Sequence, residues 1–231
     1  MRVPPRAKLV RMNNRLAVVR LYDSVIASGN TYKVYLLMAH LGLRIGQDVP
    51  LEELDILATP SHTRLPEFLA KNPNGRIPVA ELSDGSFLTE SNAILFCLGE
   101  DTDFVPADPL DRARMLQWMF FEQYSHEPYI AVMKFWTVWG GLHNKTEADL
   151  TLLKQRGQAA LSVMNTHLQG RTYFVDEALS LADFALYAYT HTAHLTGFDM
   201  NAVPNVVAWL HRVRSAPNHI PIKSGPGSEL R

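Results

Sequence analysis

The stretch that decides the fold reads NPNGRIPV at residues 72–79 and, after a short interval, TESNAI at residues 89–94. Pro78 lies inside an apolar strand pattern. Because proline cannot donate to a β-ladder, this position predicts either an edge strand or a cis peptide bond. With a cis bond, the backbone groups of Ile77 or Val79 would turn out of the sheet. They would then be free to pair with the main chain of a peptide-like ligand.

The second part of this stretch predicts the start of a helix. Glu90 and Ser91 would lie in its first turn, where backbone N–H groups have no partner within the helix. A carboxylate, a hydroxyl and these N–H groups together suit an amino-acid head that carries both charges. The stretch therefore predicts a site for a small peptide-like molecule.

The composition limits the class of protein. The chain has 231 residues, of which 47% are hydrophobic, so it can bury a core as one large or two small domains. The net charge of −1 offers no basic footprint for nucleic acid, and no apolar run approaches the length of a membrane span. The single cysteine, Cys97, excludes internal disulfides and indicates a reducing, cytoplasmic compartment.

Both ends of the chain are predicted to lie outside the folded domains. Residues 1–15 form a basic extension, whose arginines and lysine all precede the first acidic residue, Asp23. A targeting leader is the alternative interpretation of this segment, and Met12 is an alternative start. Residues 221–231 are predicted to be a tail.

Residues 16–100 predict a small mixed sheet with helices on its faces, in the order βαβαββα. Strands are expected at 16–22, near 53–57, at 77–82 and at 87–88, with Ser83-Asp84-Gly85 as the hairpin turn between the last two. Helices are expected at 32–41, near 66–71 and at 90–98.

The second half predicts an all-helical domain at 112–220, after a linker at 101–111 that is rich in proline and aspartate. Residues 112–124 are helical with an aromatic face. Thr146 and Ser180 each begin a capping box, the pattern of a hydroxyl residue followed three positions later by an acid. A last helix is expected at 205–214. The fold class is therefore α/β plus all-α.

Taken together, these segments resemble the cytosolic glutathione transferases over about residues 16–220. The resemblance rests on four features in the family's order and spacing: the NPNGRIP segment, the ESNAI helix start, the Ser180–Asp183 capping box, and a closing pattern of Pro204, Trp209, Arg212-Val213 and Ala216-Pro217. Residues 120–128 are also similar to a bacterial branch. The resemblance implies an N-terminal thioredoxin-like domain followed by a C-terminal helical bundle.

The resemblance also implies a glutathione site. Glu90 and Ser91 would hold the γ-glutamyl end, and the backbone of Ile77, before a cis Pro78, would pair with the cysteinyl amide. Arg76 is a candidate partner for the glycyl carboxylate because of its charge. The competing interpretation is that Glu90 and Ser91 only begin a helix and that Arg76 is a solvated surface charge.

Catalysis would require a group that stabilises the glutathione thiolate, because a free thiol is mostly protonated at neutral pH. The first helix start, ASGNTYK at 27–33, offers a hydroxyl, an amide and free N–H groups. We expect Ser28 to be the first stabilising group and Asn30 the second; ordinary helix capping is the alternative. This hydroxyl-x-asparagine order resembles the nu class, whose members are associated with disulfide reduction by two glutathiones.

Two other residues could carry the thiol chemistry. Tyr22 is an alternative activating hydroxyl, but it lies early for that role. Cys97 lies in an apolar run, where a buried, inert thiol is expected. The histidines do not have the spacing of a metal site, so no metal is expected. In particular, His191 and His194 are interpreted as packing or surface residues, and His126 as a cleft residue or as part of a kinked helix.

The resemblance implies an acceptor pocket lined by aromatic residues, for which Tyr32, Phe120, Tyr124 and Trp136 are candidates. Their spacing also fits a helical core, and Met115, Trp118 and Met119 are expected to be core. The implied function is transfer of glutathione to an electrophilic small molecule by a homodimeric detoxification enzyme. The alternatives are a nu-like disulfide reductase, a glutathione-dependent isomerase or dehalogenase, and a non-catalytic binding or regulatory protein.

Overall fold

The computed structural model describes residues 10–12, 16–140 and 142–223. They divide into two compact units between Asp101 and Thr102. The first unit is built on one mixed sheet, and the second is built from helices. The predicted fold class, α/β plus all-α with a thioredoxin-like first half, is confirmed.

The sheet of the first unit is centred on strand β2 (Leu16–Ser24). One edge of β2 carries two short strands, β1 (Val10–Met12), which is antiparallel, and β3 (Leu51–Leu54), which is parallel. The other edge pairs with β4 (Val79–Leu82), which in turn pairs with β5 (Phe87–Thr89). The sheet therefore has five strands among the described residues, and β1 and β3 pair with different stretches of the same edge of β2.

Strand β1 lies inside the segment that the sequence predicts as an extension. That prediction is wrong for Val10–Met12, which pairs with Leu16–Val18 of β2. The pattern misses this strand because a three-residue strand gives almost no periodic signal. The predictions about residues 1–9 and about the tail beyond Lys223 lie outside the described residues.

The hairpin between β4 and β5 turns where the sequence predicts. Gly85 has a φ of +84°, which a residue without Cβ adopts easily. Asp84 closes the turn, because its Oδ1 accepts the Ser86 N–H at 2.9 Å. Sequence-local turn chemistry therefore fixes this hairpin.

The helices of the first unit are α1 (Gly29–His40), α2 (Pro66–Leu69) and α3 (Ser91–Gly99). Helix α1 begins three residues before the predicted start at Tyr32, because Ser28 serves as its N-cap. It packs against α3. This packing brings the first turns of the two helices to one corner of the unit.

The second unit contains α4 (Pro109–Phe121), a π-turn (Glu122–His126), α5 (Glu127–Trp139), α6 (Glu147–His167), α7 (Leu181–Thr190) and α8 (Pro204–Arg214). The predicted capping boxes begin α6 and α7, and both are confirmed. The sequence analysis placed no helix at 127–139, where the structure has α5, and Pro128 in its first turn does not prevent one. Proline in the first turn of a helix removes no helical hydrogen bond, because the N–H groups at that end have no partner within the helix.

Helix α7 forms the centre of this unit. Every residue from Leu181 to Thr190 is buried, and the helix packs against α4, α5 and α8. The predicted linker 101–111 also contributes to this core. Phe104 lies edge-on to Phe184 at 5.2 Å, and its C=O accepts the Leu181 N–H at 3.1 Å. The helical packing therefore begins earlier in the chain than predicted.

In the part of the chain that the structure describes, no helix combines the length and the apolar composition needed to cross a bilayer.

Candidate functional site

The Ile77–Pro78 peptide bond is cis, as the sequence predicts. The described ladder of β4 begins only at Val79, so the backbone groups of Ile77 lie outside it. The preceding loop is held by buried Asn72, whose Nδ2 donates to the C=O of Arg76 at 2.7 Å. The side chain of Arg76 is exposed, so its role toward a ligand stays a prediction.

Glu90 lies just before α3 in an unusual backbone conformation. Its φ is 67° and its ψ is 115°, and L-residues rarely adopt a positive φ because Cβ then crowds the backbone. Its side chain is exposed and makes no capping hydrogen bond to the helix. Strain of this kind clusters at ligand sites, where neighbouring structure enforces it. The geometry leaves the Glu90 carboxylate available to a ligand.

Ser28 and Asn30 lie at the start of α1, as predicted. The Ser28 Oγ accepts the Thr31 N–H at 3.4 Å, which is a long capping bond. Since the oxygen acts as the acceptor in this bond, its own O–H remains able to donate elsewhere. The first turns of α1 and α3 contain no acidic residue, although Glu90 is the N-cap residue of α3. The positive end of α1 therefore has no neutralising carboxylate from its own N-cap or first turn.

Asn30 and Ser91 meet at the corner where α1 and α3 begin. The Ser91 Oγ donates to the Asn30 Oδ1 at 3.2 Å, although 61 positions separate the two residues. Ser91 is only 5% exposed. The structure therefore joins the predicted thiol-stabilising amide to the predicted γ-glutamyl-binding hydroxyl.

Lys33 completes this corner, and the sequence analysis missed it. Its side chain is fully buried, and its Nζ donates to the Asn30 Oδ1 at 2.9 Å and to the Ser91 Oγ at 3.3 Å. One signal was available: Lys33 is the only Asp, Glu, Lys or Arg between positions 29 and 40. A lone charge on an apolar helix indicates a specific buried partner, because lysine is rarely buried without one.

Tyr22 and Cys97 do not offer an activated group. Burial, followed by a hydrogen bond to Glu81, raises the pKa of Tyr22 to about 12, and its Oη donates to the Glu81 Oε2 at 3.0 Å. Cys97 is half-buried, whereas the sequence predicts a buried thiol. Burial, followed by the charge of Glu100, raises the pKa of its thiol, which disfavours a thiolate.

Comparison with known proteins identifies the family. The model of the glutathione S-transferase N-terminal domain matches residues 27–101, and that of the C-terminal domain matches residues 115–217. A solved glutathione S-transferase from Pseudomonas fluorescens is 46% identical, with a TM-score of 0.82. The alignment covers 89% of this chain and 98% of that one. This chain belongs to the glutathione S-transferase family.

Other family members are similar over most of their length. A possible glutathione S-transferase from Rhodopseudomonas palustris is 43% identical, with a TM-score of 0.80, and the alignment covers 90% of this chain and 93% of that one. The glutathione S-transferase-like protein LUC7 from Fusarium sp is 29% identical over 202 residues, which are 84% of this chain and 87% of LUC7. The family assignment therefore holds for both halves of the chain.

More distant similarities extend to proteins with other names. Rat elongation factor 1-gamma is 29% identical over 166 residues, which are 68% of this chain but only 37% of that protein. The complex of Ure2p with glutathione is 20% identical, with a TM-score of 0.73, over 87% of this chain and 96% of that one. At this identity the likeness shows the fold alone.

The predicted acceptor-pocket residues of this transferase-family chain differ in exposure. Tyr32 is 1% exposed and belongs to the core of the first unit, so it does not line an open surface. Phe120 and Tyr124 are 70% and 84% exposed in the second unit. Met115, Trp118 and Met119 are buried, and their prediction as core is confirmed.

Two of the histidines considered in the sequence analysis, His126 and His191, are buried in the second unit. His126 is buried at the end of the π-turn, and its Nε2 donates to Thr190 Oγ1 at 2.8 Å, because that hydroxyl itself donates to a backbone carbonyl. This places His126 in a distorted helix, one of the two predicted alternatives. Burial and the nearby Lys134 lower the pKa of His191 to about 3. Among the described residues, no group of three or more His, Cys, Asp and Glu side chains could hold a metal.

Proposed function

We propose that this chain binds glutathione at the corner formed by α1 and α3 and uses its sulfur as a nucleophile. The observation that carries the proposal is the direct hydrogen bond between Asn30 and Ser91. It joins two helix N-termini, which offer free N–H groups and positive potential to an anionic ligand. Family membership supports transferase chemistry in general, and the solved Ure2p complex contains glutathione.

Each part of glutathione has a proposed partner. The exposed Glu90 carboxylate would take the ammonium of the γ-glutamyl group, and Ser91 with the first N–H groups of α3 would take its carboxylate. The Ile77 backbone would pair with the cysteinyl amide, beside Pro78, and Arg76 would meet the glycyl carboxylate. These pairings match a charge or a hydrogen-bond donor in the protein to its opposite in the ligand.

The chemistry needs a stabilised thiolate but no covalent bond to the protein. The thiol would lose its proton to solvent, and the Ser28 hydroxyl and the Asn30 amide would donate hydrogen bonds to the resulting sulfur anion. That sulfur would bond to an electrophilic carbon while the leaving group departs with its electron pair. The exposed Phe120 and Tyr124 are the proposed acceptor-side residues, since aromatic surfaces suit apolar electrophiles.

Calorimetric titration of the purified chain with reduced glutathione near neutral pH tests this proposal. We expect binding at one site per subunit in the wild type. The same titration of a Ser91→Ala variant should give at least tenfold weaker binding, because a charge-assisted hydrogen bond contributes about 1.5–3 kcal/mol. Wild-type protein that binds no glutathione would overturn the assignment of Glu90, Ser91 and Ile77.

Disulfide reduction is the second candidate reaction. The hydroxyl-x-asparagine order of Ser28 and Asn30 favours it, and two structural neighbours support it by what they contain. A Burkholderia graminis transferase holds two glutathione molecules per subunit, and a Phanerochaete chrysosporium neighbour holds oxidised glutathione. In this reaction one glutathione sulfur would attack a disulfide and expel a thiolate. The thiolate of a second glutathione would then attack the glutathione sulfur of the resulting mixed disulfide, which forms oxidised glutathione and expels the remaining half of the substrate as a thiolate.

Steady-state assays with aryl halides and with small disulfides separate the two reactions. Turnover of aryl halides alone would favour conjugation, and turnover of disulfides with comparable binding of oxidised glutathione would favour reduction. Binding without either activity would leave two alternatives: a glutathione-dependent isomerase or dehalogenase, or a regulatory role. The elongation-factor and nitrogen-regulation names of some relatives support the regulatory role. A homodimer, also proposed, is tested by light scattering of the same sample.

The role of Ser28 gives a specific prediction. Ser28→Ala removes one donor to the thiolate, so we expect kcat/KM to fall roughly tenfold to hundredfold and the pKa of bound glutathione to rise by about 1. Glutathione affinity should change little. The pH–rate profile measures both effects, with Ser162→Ala, an exposed serine on α6, as control. An unchanged profile would remove Ser28 from the mechanism and leave it as a helix cap.

A further inference from the structure

Lys33 is an unusual feature of the corner where α1 and α3 begin, which is the proposed glutathione site. It is a lysine with no exposed surface, and its Nζ lies 2.9 Å from the Asn30 Oδ1 and 3.3 Å from the Ser91 Oγ. Burying an ammonium group is costly unless it is hydrogen-bonded. Lys33 is hydrogen-bonded to two residues of the proposed ligand site. We therefore expect its burial to serve a specific role in that site.

The chemistry of the ammonium restricts Asn30. A lysine ammonium can only donate hydrogen bonds, so the end of the Asn30 amide that faces it must be the oxygen. Ser91 also donates to this oxygen at 3.2 Å, but its single hydrogen would turn to the γ-glutamyl carboxylate when glutathione binds. Lys33 would then remain as the donor to the Asn30 Oδ1. The amide is planar, and its NH₂ group lies on the other side from its oxygen. Fixing Oδ1 toward Lys33 therefore turns both Nδ2 hydrogens away from Lys33.

The position of the Lys33 ammonium also indicates a ligand site at this corner. Lys33 places a cation beside the N-terminus of α3, where the helix dipole already favours anions and disfavours cations. Neither α1 nor α3 has an acidic residue in its first turn, and the carboxylate of Glu90, just before α3, is proposed to pair with the ligand ammonium. An arrangement of this kind is expected where an anion is to be bound, and the γ-glutamyl carboxylate proposed to lie at Ser91 is such an anion.

We propose that Lys33 is a positioning residue that holds the Asn30 amide with its NH₂ group toward the sulfur of bound glutathione. This inference rests on the proposed function. Lys33 itself does not contact the sulfur; it acts through Asn30. Without Lys33 the amide can rotate by 180°, and its oxygen would then face the thiolate and repel it.

A double-mutant cycle with Lys33→Met, Asn30→Ala and the double variant tests the proposal. The pKa of the bound thiol is followed by the ultraviolet absorbance of the thiolate, together with the pH dependence of kcat/KM. We expect Lys33→Met to raise this pKa by about 1, a tenfold effect, and Asn30→Ala to raise it at least as much. In the Asn30→Ala background, Lys33→Met should not change the pKa of the bound thiol any further.

A second variant separates orientation from charge and protects the test against misfolding. Lys33→Gln removes the charge but can still donate to the Asn30 Oδ1, so we expect it to keep most of the wild-type thiol pKa. A Lys33→Gln variant that binds glutathione but behaves like Lys33→Met would overturn the orientation role, as would Lys33→Met effects that simply add to those of Asn30→Ala.

The outcome for the wild type distinguishes the two proposals. Wild-type protein that binds glutathione with a lowered thiol pKa, together with an unchanged pKa in a folded Lys33→Met, would overturn this inference and leave the proposed function intact. Wild-type protein that binds no glutathione would overturn both.

Discussion

Replacement of Asp183 by alanine should destabilise the protein more than any other substitution considered. Asp183 is completely buried at the start of α7. Its Oδ1 accepts the Trp209 Nε1–H at 2.9 Å and the Phe174 N–H at 3.3 Å, and its Oδ2 accepts the Ser180 N–H and Oγ–H at 2.9 Å each. Alanine would leave these donors buried without an acceptor, which we expect to cost roughly 3–5 kcal/mol. Urea unfolding measures this loss.

The other capping box supplies a matched control. Asp149 makes the same reciprocal cap with Thr146 at the start of α6, but on the surface. Water can replace the lost acceptor there, so Asp149→Ala should destabilise the protein far less than Asp183→Ala. Equal losses at the two positions would show that the cap alone, and not burial, makes Asp183 important.

The loss of unfolding free energy caused by Asp183→Ala should also depend on pH. Burial raises the pKa of its carboxyl to about 6, against the opposing effect of its hydrogen bonds. Because the folded state then binds the proton more tightly than the unfolded state, this stabilisation is largest at low pH and declines as pH rises through 6. The difference in unfolding free energy between wild type and Asp183→Ala should therefore be about 1 kcal/mol smaller at pH 7 than at pH 5.

Removal of the Glu90 carboxylate should affect ligand binding and folding in different ways, depending on the replacement. Glu90→Ala and Glu90→Gly both lose the proposed partner of the γ-glutamyl ammonium, so both should weaken glutathione binding roughly tenfold to hundredfold. Glycine, however, accepts the φ of 67° without a Cβ clash. We expect Glu90→Gly to be more stable to unfolding than Glu90→Ala by about 1 kcal/mol.

Calorimetry and urea unfolding on the two variants together test this expectation. Glu67→Ala, an exposed acid on α2, is the control for a simple loss of negative charge. If both Glu90 variants bound glutathione as tightly as Glu67→Ala does, the carboxylate would have no role in the site. Equal stability of the alanine and glycine variants would show that the neighbouring structure relaxes and that no strain is stored at this residue.

Much of the fold could be predicted because its signals are local in sequence. The capping boxes at Thr146 and Ser180 each need only four residues, and the Asp84-Gly85 turn needs even fewer. Such patterns have a direct physical cause in unpaired helix N–H groups or in a positive φ. They therefore give the same structure almost independently of what packs around them.

The elements that were missed depend on distant partners. Strand β1 exists because β2 offers it an open edge, and its own three residues do not identify a strand. Helix α5 continues from α4 through the π-turn at Glu122–His126, and Pro128 lies in its first turn. In both cases tertiary packing decides an ambiguous local pattern.

The candidate site shows the same division. Ile77, Pro78, Glu90 and Ser91 belong to one short motif, and the first helix start supplies Ser28 and Asn30. Lys33 could not be assigned in this way, because its role depends on Ser91, which is 58 positions away. A composition rule that places lysine on the surface also argues against it. The isolated charge on an apolar helix indicates that a buried partner exists, but it does not identify which residue that partner is.

The π-turn between α4 and α5 marks the place where a related sequence can be one residue shorter. A π-turn holds one residue more than an α-helical turn, and each residue turns an α-helix by about 100°. Loss of one residue between Glu122 and His126 can therefore return this turn to α-helical geometry and leave Ile130 and Met133, both buried, on the inner face of α5. In an alignment of relatives, single-residue gaps between α4 and α5 should therefore fall at 122–126, because a gap within either helix would rotate the following side chains by about 100°.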